Sequence, residues 1–123
     1  MPSICGSTDT DTTAVEFLAQ LPLDVIDHGH GITQVFADNG DEVWYKDNII
    51  HRDNDLPALI WANGAQYWFR DGLLHRDGDK PAVVTNGGTQ SWYRNGQLHR
   101  DNGPAVIWPG GDQQYWINGK HVW

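Results

Sequence analysis

Three copies of the triplet His-Arg-Asp hold most of the side chains in this sequence that could do chemistry: His51-Arg52-Asp53, His75-Arg76-Asp77 and His99-Arg100-Asp101. A histidine beside a carboxylate is the raw material of general base catalysis. Catalysis, however, needs one asymmetric site, and three identical triplets at a fixed interval read as a structural ladder. In that reading each Asp caps the following loop by accepting backbone N–H bonds. His and Arg of an extended triplet point to opposite faces, and one of them pairs with an acid of the neighbouring repeat.

His-Arg-Asp also occurs in the protein-kinase catalytic loop. That reading fails here, because the triplet is triplicated, no glycine-rich phosphate loop accompanies it, and 123 residues are too few. No Ser–His–Asp arrangement or Cys–His pair has support beyond composition, so no catalytic residue is assigned. His28-Gly29-His30, with Asp27, offers two metal ligands but no third fixed by spacing, and no metal or cofactor is expected.

A second constellation suits binding. Along the strand Gln66–Arg70, alternation puts Gln66, Trp68 and Arg70 on one side and Tyr67 and Phe69 on the other, and Gln90–Arg94 repeats the pattern. A Trp column flanked by Lys46, Arg70 and Arg94 could stack a nucleotide, a cyclic nucleotide or a peptide. The competing and favoured reading makes the Trp residues core, with Arg lying over them, charge outward. The candidate ligand- or partner-binding residues are therefore Trp68, Arg70, Trp92 and Arg94, with His75, Arg76, His99 and Arg100 from the ladder.

These side chains are positioned by a repeat. Trp44, Trp68, Trp92 and Trp116 follow each other at 24 residues, as do His51, His75 and His99. Within each copy, Ala58–Trp61, Ala82–Thr85 and Ala105–Trp108 are short apolar or β-branched runs. Glycine-bearing turns follow, then second strands Gln66–Arg70, Gln90–Arg94 and Gln114–Asn118, which makes a hairpin. Copy three has one residue fewer between His99 and Pro104 and one more between Pro104 and Trp116, so the Trp column reads as the fixed frame. Residues 1–27 form an acidic tail with a capping helix over about 13–21, which starts at the capping box Thr13-Ala-Val-Glu16, stops at Pro22 and covers the first sheet edge. Residues 28–123 form the repeat domain: one degenerate copy, three fuller copies and a C-terminal partial one. The fold class is mainly β, with stacked β-hairpin repeats in an open meander.

Of the net charge of −8, all of it resides in residues 1–45, which carry eight acids and no Lys or Arg; eight acids balance eight bases in the remainder. With no basic field, direct DNA or RNA binding is not expected. The single Cys5 rules out an internal disulfide, and no apolar run reaches membrane-span length, so a cytoplasmic location without membrane contact is expected.

The stretch Trp92-Tyr93-Arg94-Asn95-Gly96-Gln97-Leu98-His99 through Gly103, then Ile107-Trp108-Pro109-Gly110-Gly111 and Tyr115-Trp116, resembles MORN repeats, and the resemblance covers about 28–123. Gln66, Gln90 and Gln114 replace the glycine of the family's Tyr-x-Gly, and His-Arg-Asp-x-Gly-Pro-Ala replaces its His-Gly-x-Gly. That variant is similar to short repeat proteins of tailed phages and giant viruses. The resemblance implies a stacked-hairpin sheet used for protein or lipid contacts, without catalysis. The expected function is a non-catalytic, protein-binding module, as a viral inhibitor of a host factor would be. The alternative is a protein that sequesters a nucleotide or cyclic-nucleotide signal through the Trp/Arg columns, as a homo-oligomer joined through sheet edges.

Overall fold

The structure is a computed structural model that describes residues 23–122. All regular structure among these residues is β, and no described helix is long and apolar enough to cross a membrane. The helix expected over 13–21 lies outside the described residues.

Three long strands come first: β1 (Leu23–Gly29), β2 (Ile32–Ala37) and β3 (Glu42–Lys46), antiparallel neighbours in a meander. β1 starts ahead of the boundary expected at residue 28, so 23–27 belong to the sheet. β4 (Ile49–Ile50) turns back beside β3. From there the strands are two residues long and recur in sets of four. The first set is β5 (Leu59–Ile60), β6 (Gln66–Tyr67), β7 (Phe69–Arg70) and β8 (Leu73–Leu74). The second is β9 (Val83–Val84), β10 (Gln90–Ser91), β11 (Tyr93–Arg94) and β12 (Gln97–Leu98). The third is β13 (Val106–Ile107), β14 (Gln113–Gln114), β15 (Trp116–Ile117) and β16 (Lys120–His121). The main sheet runs β1-β2-β3-β5-β6-β9-β10-β13-β14, while β7–β8, β11–β12 and β15–β16 form separate small hairpins.

Trp68 sits where the chain leaves the main sheet for a small hairpin. Its N–H donates to Ala82 O at 2.8 Å, and its own carbonyl accepts from His75 N at 3.0 Å. Trp44 and Trp92 make the same two bonds, with Ala58 and His51, and with Ala105 and His99. Ala58, Ala82 and Ala105 are wholly buried beside these indoles. A larger side chain at any of these wholly buried positions would have to displace its packed neighbours. On the opposite face, Val83 and Val106 flank Ser91 by register and are buried as well.

Two kinds of turn link the strands. Gly64, at φ +98°, donates its N–H to Trp61 O at 2.8 Å and closes the hairpin tip. Gly96, at φ +83°, donates to Leu74 O of the preceding copy at 2.8 Å, and a Cβ there would come within 3.2 Å of Leu73. Both positions need the left-handed backbone that glycine adopts freely.

The last copy departs from the expected frame. Val122 N donates to Tyr115 O at 2.8 Å, the bond that His75 makes to Trp68, and Ala105 N donates to Gln114 O as Ala58 N does to Tyr67 O. Tyr115, not Trp116, therefore takes the Trp place, and Trp116 takes that of Phe69 and Tyr93. The deletion after His99 shifts everything behind it by one residue, because the tip after Trp108 is the same length as the others. Pairing register outweighs residue identity, since slipping one residue would turn every side chain to the wrong face.

Candidate functional site

The three His-Arg-Asp corners are built alike. The backbone N–H of Asp71, Asn95 and Asn118, each at the small-hairpin tip of the following copy, donates to Nδ1 of His51, His75 and His99 at 2.9, 3.1 and 2.9 Å. An Nδ1 that accepts must be unprotonated, so Nε2 carries the hydrogen. Nε2–H donates to Asp53, Asp77 and Asp101 Oδ1 at 2.7, 2.8 and 2.8 Å. The Asp71 carboxylate also lies 3.4 Å from His51 Nδ1, but the shorter N–H contact decides that nitrogen's role. Each Asp thus receives the imidazole of its own triplet rather than capping the loop, which corrects the expectation from sequence. All three rings are buried.

The middle residue of the triplet covers the Trp. The guanidinium carbons of Arg52, Arg76 and Arg100 stand 3.9, 3.8 and 3.9 Å from the ring centroids of Trp44, Trp68 and Trp92. Each Nη1 donates to the carbonyl of Pro57, Pro81 or Pro104 at 3.1–3.2 Å. Arg76 and Arg100 add a two-pronged grip on an acid of the preceding copy: Nε to Asp55 or Asp79 Oδ1 at 2.8 Å, and Nη2 to the second oxygen at 3.3 Å. Such forks give both strength and fixed geometry.

Electrostatics follow from these bonds. Hydrogen bonds from Arg76, then from Lys80 at 2.8 Å, hold the Asp55 carboxyl at about 2. The bond from His75 lowers Asp77, helped by the charge of Arg70, and the bond from His51 lowers Asp53, helped by Lys46. Arg100 lowers Asp79 in the same way.

Trp68 and Trp92 are only 7% exposed, facing inward as the core reading expects. Arg70 and Arg94, expected to flank the Trp column, are on the surface instead. Arg70 pairs with Asp77 at 3.1 Å, and Arg94 reaches Asn118 Oδ1 at 3.2 Å and Asp101 at 3.6 Å. The arginines over the indoles are those of the triplets. His75, Arg76, His99 and Arg100 lie in the joints between copies. Residues His51, Trp68, Arg70, Arg76 and Lys80 border a cleft of about 430 Å³, whose Arg70, Arg76 and Lys80 cations are all paired with acids. His28 stacks on Trp44 at 5.0 Å and its Nε2 contacts Gln34 Oε1 at 2.8 Å. Among the described residues no three His, Cys, Asp or Glu side chains converge as a metal site would require.

Two features escaped the sequence reading. Trp61 and Trp108 occupy one position in the tip hairpins of the first and third sets, the residue that opens the tip, which is Thr85 in the hairpin between them, and stand 39% and 37% exposed. Trp61 meets Tyr67 edge-on at 6.2 Å. Asp55 and Asp79 are the acids that accept from the next copy's Arg: a pairing between a triplet residue and a neighbouring copy's acid was expected, but which acids supply it was not. The signal for both was present: Trp61 and Trp108 each open a glycine turn, and Asp55 and Asp79 each stand two residues before Pro57 and Pro81. Compared with protein-family models, curated proteins and solved structures, the sequence finds no match.

Proposed function

We propose that this chain is a non-catalytic β-repeat binding module of MORN-like, stacked-hairpin build, and that it docks a protein partner through the hairpin tips at Trp61 and Trp108. The observation that carries the reading is the pair of exposed indoles at equivalent positions. Large aromatics are the commonest anchors of protein interfaces, and an indole already held against Tyr67 loses little freedom on docking. Trp61 and Trp108 border β5 and β13, four steps apart in the sheet order, which is about 19 Å at ~4.8 Å per strand. Anchors so far apart suit a macromolecular surface better than one small ligand.

The triplets argue against catalysis at the corners, because both nitrogens of every triplet histidine are engaged and no base is left to take a substrate proton. The nucleotide alternative loses support for the same kind of reason: the indoles proposed as its platform are buried under their own arginines.

The test uses Trp61→Ser with Trp108→Ser. The double variant is expected to keep its melting temperature within a few degrees, since both side chains are exposed, while losing a protein that the wild-type chain enriches in quantitative affinity capture. Equal enrichment by both chains would sink the docking surface. A thermal-shift series with nucleotides and cyclic nucleotides is expected to stay flat, and a clear rise would restore the sequestration reading.

A further inference from the structure

The two ends of the main sheet differ in charge. The tips that join β2 to β3, β5 to β6, β9 to β10 and β13 to β14 lie along one end, and the triplets turn the chain at the other. All eight Lys and Arg side chains stand at the triplet end, in or beside the corners and small hairpins, where Asp53, Asp55, Asp77, Asp79 and Asp101 pair with them. The tip end has Asp38, Asp41 and Asp112 and no base. It is also where Trp61 and Trp108 are exposed. Each of these indoles has an acid opposite it on the neighbouring strand. Asp112 follows the register of β13 and β14 outward to face Trp108, whose N–H donates to Asp112 O at 2.9 Å. Asp41 stands one step beyond the Glu42–Ile60 pair, which sets it across from Trp61, and its Oδ1 accepts from Ala62 N at 2.7 Å. Residues opposite one another on adjacent strands share a face, with Cβ atoms about 5 Å apart.

We propose, resting on the docking reading of the tips, that the partner presents a basic segment whose arginine side chains seat on Trp61 and Trp108, with Asp41 and Asp112 as acceptors. The chain holds its own precedent. Arg76 lies over Trp68 and is gripped by Asp55, and Arg100 lies over Trp92 and is gripped by Asp79. An indole with a carboxylate beside it is the setting in which this sequence twice holds a guanidinium. At the tips the indole and the carboxylate are present, and no cation among the described residues meets them. The Asp112 carboxylate has no hydrogen-bond or ion-pair partner among these residues. That of Asp41 is met by neutral donors, Ala62 N and, at 3.1 Å, Asn39 Nδ2. A carboxylate has lone pairs enough to take a guanidinium as well. Charge also decides between partners. With three acids and no base along this end, an acidic segment or a nucleic acid would meet like charge, and a basic segment meets the opposite.

Indole Nε1–H resonances of the full-length protein, followed at constant ionic strength, test this. The probe is a Gly/Ser peptide with two arginines about six residues apart, which spans the ~19 Å between the indoles at ~3.3 Å per residue. The Trp61 and Trp108 signals are expected to move saturably while those of Trp68 and Trp92 stay still. The same peptide with citrulline for arginine keeps the shape, loses the charge and should move none of them. Asp41→Asn with Asp112→Asn retains the Oδ1 that Ala62 N needs and should abolish the response of both indoles. No response to the arginine peptide, an equal response to the citrulline peptide, or a response that survives the double Asn variant overturns the basic partner. Quantitative affinity capture separates that failure from failure of the docking surface itself. A protein kept by the double Asn variant but lost by Trp61→Ser with Trp108→Ser overturns only the arginine reading. One kept equally by both variants overturns the docking surface as well.

Discussion

The β1–β2 hairpin and the corners of the later copies hold neighbouring strands with different bonds. β1 and β2 pair along six registered positions, so main-chain hydrogen bonds suffice. β7 and β8, or β11 and β12, pair over two positions each, and a two-residue hairpin is too short to persist by itself. The deficit is met by side chains: a histidine that bonds the next tip and its own Asp, and an arginine that ties an indole, a proline carbonyl and an acid of the copy before. The region with the longer ladder has no triplet. Where regular pairing is short, the sequence must spell out the joint, and that is why the triplet repeats.

Removing the histidine should break this comparison most visibly. His75→Ala deletes the Nδ1 acceptor of Asn95 N–H and the Nε2 donor to Asp77, and leaves a cavity at a buried site. A loss of about 2–4 kcal/mol is expected. Hydrogen exchange should show protection falling first in β7, β8, β11 and β12 while the β1–β2 amides keep theirs. Equal loss in both regions would mean that the corners do not act locally.

A smaller effect sharpens the contrast between copies. Trp68 Nε1 donates to Asp55 O at 3.1 Å, whereas Trp92 Nε1 is buried with no acceptor among the described residues. Phenylalanine removes similar ring volume at both places, so the difference isolates the indole N–H. Trp68→Phe should cost about 1 kcal/mol more than Trp92→Phe in urea unfolding. If the two are equal, the bond to Asp55 contributes nothing measurable.

Much of this was legible in the sequence. The β class and the hairpin built around each glycine tip follow from periodicity, whereas alternation leaves both faces open for Trp68 and Trp92, and their inward place is favoured because large aromatics fill small β cores. What was not legible depends on contacts between copies. Sequence placed Arg70 and Arg94 beside the indoles because they share a strand face with Trp68 and Trp92, but Arg76 and Arg100 reach those rings from a corner whose bend spacing does not encode. The last copy was misaligned because Trp116 preserves the 24-residue interval; only the bond from Val122 to Tyr115 shows which residue holds the pivot.

The weakest link of a corner is its exposed acid, and pH tests it with a definite sign. Asp55 has an ordinary value of 3.8 and is held at about 2 in the folded chain by Arg76 and then Lys80. A depressed folded value means that the unfolded chain takes up the proton first as pH falls. The stabilisation is therefore complete above about pH 4 and lost as pH drops through about 2. The side chain is 41% exposed, so solvent screening should leave about 1 kcal/mol or less of what the full shift implies. Asp55→Asn should thus lower the urea midpoint slightly at pH 7, and the gap to wild type should close between pH 4 and pH 2. A gap that is unchanged at pH 2 would show that the variant's cost comes from packing in the joint rather than from the charge that Arg76 and Lys80 hold.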